Sequence, residues 1–305
     1  MGEDSNRSAN RNGVLNDTLK RRVFLGGLTA AGVAGLAGCS GDGGDGGGGG
    51  DGGDGGGDGG DGGDGGTEPP TETSAPENAK VGGTLKWGSA VPVQELDPHL
   101  TTAASSVRVL DNMTERLLEL QWDLSLEPQL AKSYEVSDDN TEITFKLREG
   151  VTFHDGSKFT AEDVMASYER VKNDEKFPAH GMMQRVESMS APDDYTFKIT
   201  LKEPFSPFMA RLATMKLTIL PAEQAKKSKV EEPIGTGPFK FVSQDPGTSF
   251  TMERFDDYWD DSIEGPYLEK IEKKAIEDPS VRLQSFFSGD FDFINGVSEI
   301  GRAHV

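Results

Sequence analysis

Cysteine occurs once in 305 residues, at Cys39, and histidine four times. A lone cysteine cannot close an internal disulfide, and no H-E-x-x-H, C-x-x-C or G-x-S-x-G pattern is present, which argues against metal-dependent and acyl-transfer catalysis. No glycine-rich turn followed by Lys joins a strand to a helix, so ATP hydrolysis by this chain is not expected. Neither is a metal site or a cofactor. Basic charge is scarce, with 31 Lys and Arg against 52 Asp and Glu for a net charge of −21. Nucleic acid and anionic lipid headgroups are therefore poor partners. Long apolar runs are missing as well. The small and apolar stretch Gly26 to Gly38 holds 13 residues, whereas a spanning helix needs about 20.

That short run follows Lys20-Arg21-Arg22-Val23-Phe24-Leu25 and ends in Leu36-Ala37-Gly38-Cys39. A charged start, a short apolar segment and small residues before a cut make a signal peptide. Arg21 and Arg22 look like a twin-arginine export signal, and Cys39 is the residue that a lipobox would lipidate. Residues 1–39 read as a leader that leaves the protein lipid-anchored on the outer face of the cytoplasmic membrane. From Gly41 to Gly66 only Gly and Asp occur, with no apolar side chain to offset ordering entropy, so residues 40–80 read as a disordered tether. Calcium-binding repeats also alternate Gly and Asp, but they need an apolar residue in each repeat, and none is present. Thirteen acidic and six basic residues precede Val81, which leaves 39 against 25, a net of −14, for the remaining 225 residues. The acidity thus belongs to the folded part too, where it suits a salt-rich solvent and has no catalytic meaning.

From Gly82 onward strand and helix signals alternate, as in an α/β fold. Thr84 to Trp87 reads as a strand. Ser105 to Leu120 carries Val109, Met113, Leu117 and Leu120 at helical spacing, which predicts one long helix with these four on its core face. Thr141 to Arg148 and Tyr195 to Leu201 alternate apolar and polar residues as half-buried strands do. Between them, Thr160-Ala161-Glu162-Asp163 predicts a capping box that opens a helix with Val164, Tyr168 and Val171 on one face. Asp245-Pro246-Gly247 predicts the turn of a hairpin between Phe239–Val242 and Phe250–Phe255. Asp278-Pro279-Ser280 starts a last helix that runs to Gly289, before a strand at Phe291–Ile294. His99, in Leu96-Asp97-Pro98-His99, and His154, in Phe153-His154-Asp155-Gly156, both sit at turn signals and read as structural.

Those two segments, with Phe145 to Val164 as a whole, Gly235-Thr236-Gly237-Pro238-Phe239, Tyr258-Trp259 and Ser288-Gly289-Asp290-Phe291-Asp292, resemble family 5 of the extracytoplasmic solute-binding proteins. These are the dipeptide and oligopeptide receptors of ABC importers. The resemblance covers roughly residues 82–298 and implies a periplasmic-binding-protein-like fold of type II, cluster C. A first lobe of residues 82–119 and 200–297 would carry an inserted domain of residues 120–199, and the third lobe would be missing. Glu299 to Val305 (EIGRAHV) reads as the translation of a sequencing adapter, which suits a reading frame that continues past residue 298.

The resemblance further implies a ligand held between lobes, and places Val91, Pro92, Val93 and Gln94 along the cleft with Asn295 at the crossover into the missing lobe. Pro92 departs from the acidic side chain that an oligopeptide receptor carries there. The implied partners are a peptide ligand, an ABC permease and its ATPase subunits, around a monomeric receptor that is not an enzyme. Nickel complexes or sugars are alternative ligands, since the scaffold motifs are shared among these receptors. A non-transport surface sensor and a secreted hydrolase are the other two function classes, the latter requiring a catalytic set in the missing lobe.

Overall fold

The computed structural model describes residues 81–260 and 265–296. The expectations for Arg21, Arg22, Cys39, the tether and residues 299–305 lie outside the described residues. In chain order the elements are β1 (Thr84–Ser89), α1 (Ala104–Leu110), β2 (Leu118–Leu120), β3 (Leu126–Pro128), β4 (Ala131–Val136) and β5 (Glu142–Leu147). Then come α2 (Ala161–Asn173), α3 (His180–Met183), β6 (Val186–Asp193), β7 (Thr196–Leu201), α4 (Phe208–Leu212) and α5 (Ala222–Ala225). The hairpin β8 (Phe239–Asp245) and β9 (Ser249–Arg254) precedes β10 (Lys270–Ala275), α6 (Pro279–Phe287) and β11 (Phe293–Ile294).

Two larger sheets result. One has five strands in the order β11-β1-β10-β9-β8, with β1 parallel to both β10 and β11 and the remaining pairs antiparallel. The other has four antiparallel strands in the order β4-β5-β7-β6, and β2 pairs with β3 by themselves. Each sheet has its own core. In the four-stranded sheet Ile143, Phe145, Phe197 and Ile199 are buried in register beneath α2, where Val164, Tyr168 and Val171 meet them. Phe208, Leu212, Leu217 and Ile219 join the same core. Under the five-stranded sheet Trp87, Phe250, Met252 and Ile271 pack against Val109, Leu110 and Met113 of the α1 segment.

The capping box forms as expected: the Thr160 side chain takes the backbone N–H of Asp163, whose carboxylate accepts from the Thr160 N–H at 2.8 Å. The expected helix over Ser105–Leu120 does not. The helix stops at Leu110, turns, and the chain leaves as β2, so Val109 and Met113 are buried in one core, Leu117 in the other, and Leu120 is exposed. Tertiary pairing overrides the helical spacing: Leu118 to Leu120 bonds to β3, and the Met113 carbonyl accepts from the Gly237 N–H at 3.0 Å instead of from a further helical turn. The last helix forms where expected, yet Val281, Phe286 and Phe287 are exposed while Arg282 is buried.

The Gly235-Thr236-Gly237 segment runs against the end of α1. A Cβ at Gly235 would stand 2.0 Å from the Met113 carbonyl oxygen, and one at Gly237 would stand 2.8 Å from that of Asn112. The two glycines are there because backbone meets backbone. Gly235→Ala should lower the unfolding free energy by at least ~3 kcal/mol, which urea denaturation with circular dichroism would show as an earlier midpoint.

Candidate functional site

Where two neighbouring parallel strands leave the sheet on opposite sides, their carboxyl ends open a crevice. Here that place is β1, flanked by β10 and β11, with α6 carrying the chain across from one to the other. Three loops gather at the edge: residues 90–95 after β1, 276–278 after β10, and 295–296 after β11. They are fastened by backbone bonds. The Ile276 N–H donates to the Ser89 carbonyl at 2.8 Å, and the Asn295 N–H to that of Gly88 at 3.1 Å. A Cβ on Gly296 would touch that of Ala90, so the first and third loops meet.

The residues expected along the cleft fall in this edge with different environments. Val91 is 48% exposed, Pro92 half-buried and Gln94 exposed. The turn itself is tied by the Ser89 hydroxyl, which donates to the Val91 carbonyl at 2.9 Å. The Val93 side chain is buried in the core under the five-stranded sheet, which leaves its backbone for the cleft, and its carbonyl accepts from the Gln244 amide at 2.8 Å. Asn295 accepts a hydrogen bond at 3.1 Å from the Trp87 indole, so the strand carries an aromatic floor up to the loop.

Arg282 was hidden from sequence reasoning by the apolar residues around it. Its guanidinium donates to the Ile276, Glu277 and Gly296 carbonyls and so locks the loop after β10 to the loop after β11. An arginine amid Val, Leu and Phe at the start of a capped helix was the available signal. Among the described residues no three His, Cys, Asp or Glu side chains converge as metal ligands, and no helix is long and apolar enough to cross a membrane.

Both histidines are structural. His99 accepts at Nδ1 from Arg170 at 3.0 Å, and since arginine can only donate, the proton sits on Nε2 and goes to the Thr218 carbonyl at 2.8 Å. Burial pushes its pKa down to about 4. Arg170 also forks onto Asp97, at 2.9 and 2.5 Å. Burial alone would raise the Asp97 pKa, but the hydrogen bond and charge of Arg170 outweigh it and hold the carboxyl below its ordinary value. His154 accepts from the Gly235 N–H at Nδ1 and donates from Nε2 to the Gly237 carbonyl at 2.9 Å, stapling the glycine segment to the turn after β5.

The segments that carry the resemblance are thus scaffold that holds the edge in place. A matching family model, Bacterial extracellular solute-binding proteins, family 5 Middle, covers residues 125–303, more than half of the chain. The chain belongs to that family. It is 33% identical over 202 residues to the glutathione-binding protein GsiB of Pectobacterium atrosepticum, a match that takes in 65% of this chain and 39% of the relative. The chain thus spans about two fifths of the curated relatives it matches. Among solved structures, the periplasmic binding protein DppA of Helicobacter pylori in complex with the peptide STSA superposes with a TM-score of 0.64 at 31% identity, covering 72% of this chain and 48% of that one. NikA of Brucella suis, in complex with Fe(III)-EDTA, gives 0.63 at 29% identity, over 69% of this chain and 43% of that one. The α/β architecture is that of periplasmic binding proteins.

One further group joins the two cores. Glu115 is buried between them and accepts from Thr236 at 2.7 Å, Tyr258 at 2.9 Å and Trp259 at 2.7 Å. Burial pushes its pKa up to about 7, against the pull of those three donors. The unfolded carboxyl keeps its ordinary value of 4.5, so between these two values the native state binds more protons than the unfolded one. Glu115 therefore contributes stability that is complete below 4.5 and fades as pH rises through 7, by roughly 3 kcal/mol. Denaturant unfolding of the wild type and of Glu115→Gln from pH 4 to 8 should show a difference between them that varies in this window and is flat above it.

Proposed function

We propose that the chain is the substrate-binding receptor of an ABC importer, delivering di- or oligopeptides to a membrane permease driven by separate ATPase subunits. The observation that carries this is the crevice edge at β1 in a chain of the solute-binding family. Three loops converge there at the carboxyl ends of parallel strands, which is where open α/β sheets bind their ligands. The five-stranded unit would be the first lobe and the four-stranded unit the inserted domain, with the ligand shifting an open and closed equilibrium by contacting the closed form better. Val91, Pro92, Gln94 and Asn295 would face the ligand, and Val93 would offer backbone. Peptides come first among ligands because one solved relative binds the peptide STSA and curated relatives bind glutathione. The Fe(III)-EDTA complex of NikA supports metal chelates as a second reading. Calorimetry on the product of the complete reading frame should give micromolar affinity for at least one di- to pentapeptide. A flat response across such a panel, with a response to a metal chelate, would replace the peptide reading by the second.

The export reading rests on Arg21, Arg22 and Cys39. Cys39→Ser should move the protein from the membrane fraction to the medium, since one lost lipid removes the anchor. Replacing Arg21 and Arg22 together by Lys should leave the uncut precursor inside the cell. Fractionation followed by immunoblotting reads both, and an unchanged membrane fraction for Cys39→Ser would overturn the lipid anchor.

A further inference from the structure

Arg170, buried beside the four-stranded sheet, has its anion in Asp97 at 2.5 Å. At the crevice edge two other buried cations have none among the described residues. Lys273, on β10 and 2% exposed, finds one acceptor, the Ser105 carbonyl at 3.2 Å, and its ammonium lies 4.7 Å from the centroid of the Trp87 ring. Arg282, also 2% exposed, bonds backbone carbonyls alone. The hydroxyl of Ser105, the residue whose carbonyl Lys273 bonds, is buried and has no partner among the described residues. Arg108 stands three residues further along α1, exposed and without an ion pair among the described residues. Burial first, and then the charge of Arg108, bring the Lys273 pKa down to about 8.

Two of the nearby carboxylates are used elsewhere and a third faces solvent. Glu95 pairs with Lys229 at 3.5 Å, Asp278 accepts from the Ser280 and Val281 N–H groups as the cap of α6, and Glu277 is exposed. Burying a charge without a partner costs several kcal/mol. A chain with a net charge of −21 has carboxylates to spare for such positions, yet among the described residues none pairs with Lys273 or Arg282.

We infer that this edge accepts an anion, a carboxylate group carried by the ligand, which completes the Ser105 hydroxyl and the Lys273 ammonium from the side where Arg108 stands. The inference rests on the receptor reading and narrows its ligand to carboxylate-bearing molecules. Arg108 makes the contact from the surface, Lys273 supplies positive charge from behind, and Arg282 holds the loops that shape the opening.

The test on the chain itself uses acetate as the probe. With lysine labelled at Cε, the Lys273 signal, assigned by its loss in Lys273→Met, should move saturably with sodium acetate at constant ionic strength. It should move far less with chloride, and Arg108→Gln should weaken the acetate response about tenfold. No saturable shift, or an equal one with chloride, would overturn the carboxylate subsite. Should Lys273→Met fail to fold, Lys273→Arg assigns the signal instead, and Ser105→Ala together with Arg108→Gln should abolish its acetate response. A second arm separates this inference from the reading beneath it. If the complete protein binds a tripeptide and its carboxyl-terminal amide equally, the subsite falls and the receptor stands; if it binds the free acid at least tenfold better, both stand. If it binds no peptide or other small solute while acetate still moves Lys273, the receptor reading falls and the anion site remains as a property of the sheet edge.

Discussion

A single buried carboxylate holds the two halves of this molecule in register. Glu115 stands where the chain leaves α1 for β2, with Met113 in the core under the five-stranded sheet and Leu117 in that under the other. Its side chain gathers Thr236, Tyr258 and Trp259, while its carbonyl accepts from the Thr218 hydroxyl at 2.7 Å and the Ile219 N–H at 2.9 Å. Segments more than a hundred residues apart in sequence therefore end on one residue. A buried carboxylate is tolerable only when its lone pairs are filled, so each of these segments must arrive correctly for the junction to form.

The glycine segment obeys the same logic from the backbone side. Gly235 and Gly237 let the chain lie against the Asn112 and Met113 carbonyls, and His154, neutral and with its tautomer set by its neighbours, fastens the segment to the turn after β5. On the other flank Asp97, His99 and Arg170 tie the loop after β1 to α2. The conspicuous polar residues of the chain are thus committed to framing β1, and the crevice edge is what that frame leaves open.

Local elements were legible because their signals are local. The capping box at Thr160 and Asp163, the alternation in β5 and β7, the turn at Asp245-Pro246-Gly247 and the capped start of α6 each depend on a few adjacent residues, and the structure has all of them. The long helix over Ser105–Leu120 was misread for the converse reason. Val109, Met113 and Leu117 are all buried, as the spacing demands, but the first two lie in one core and Leu117 in the other, and periodicity counts burial without saying who supplies it.

The sequence by itself determined that the chain is α/β, that His99 and His154 sit at turns, and which family its motifs resemble, because turn chemistry, alternation and motif order are written in neighbouring residues. Only the tertiary structure decided that Val93 faces a core, that Arg282 locks two loops, and that Lys273 is buried against the Trp87 ring and the Ser105 carbonyl. Those facts depend on the parallel pairing of β1 with β10 and β11, which brings residues near 90, 105, 275 and 295 together. Hydrogen bonds between strands far apart in the chain leave no periodic trace in sequence, whereas the charge they bury is visible only once the fold has removed its water.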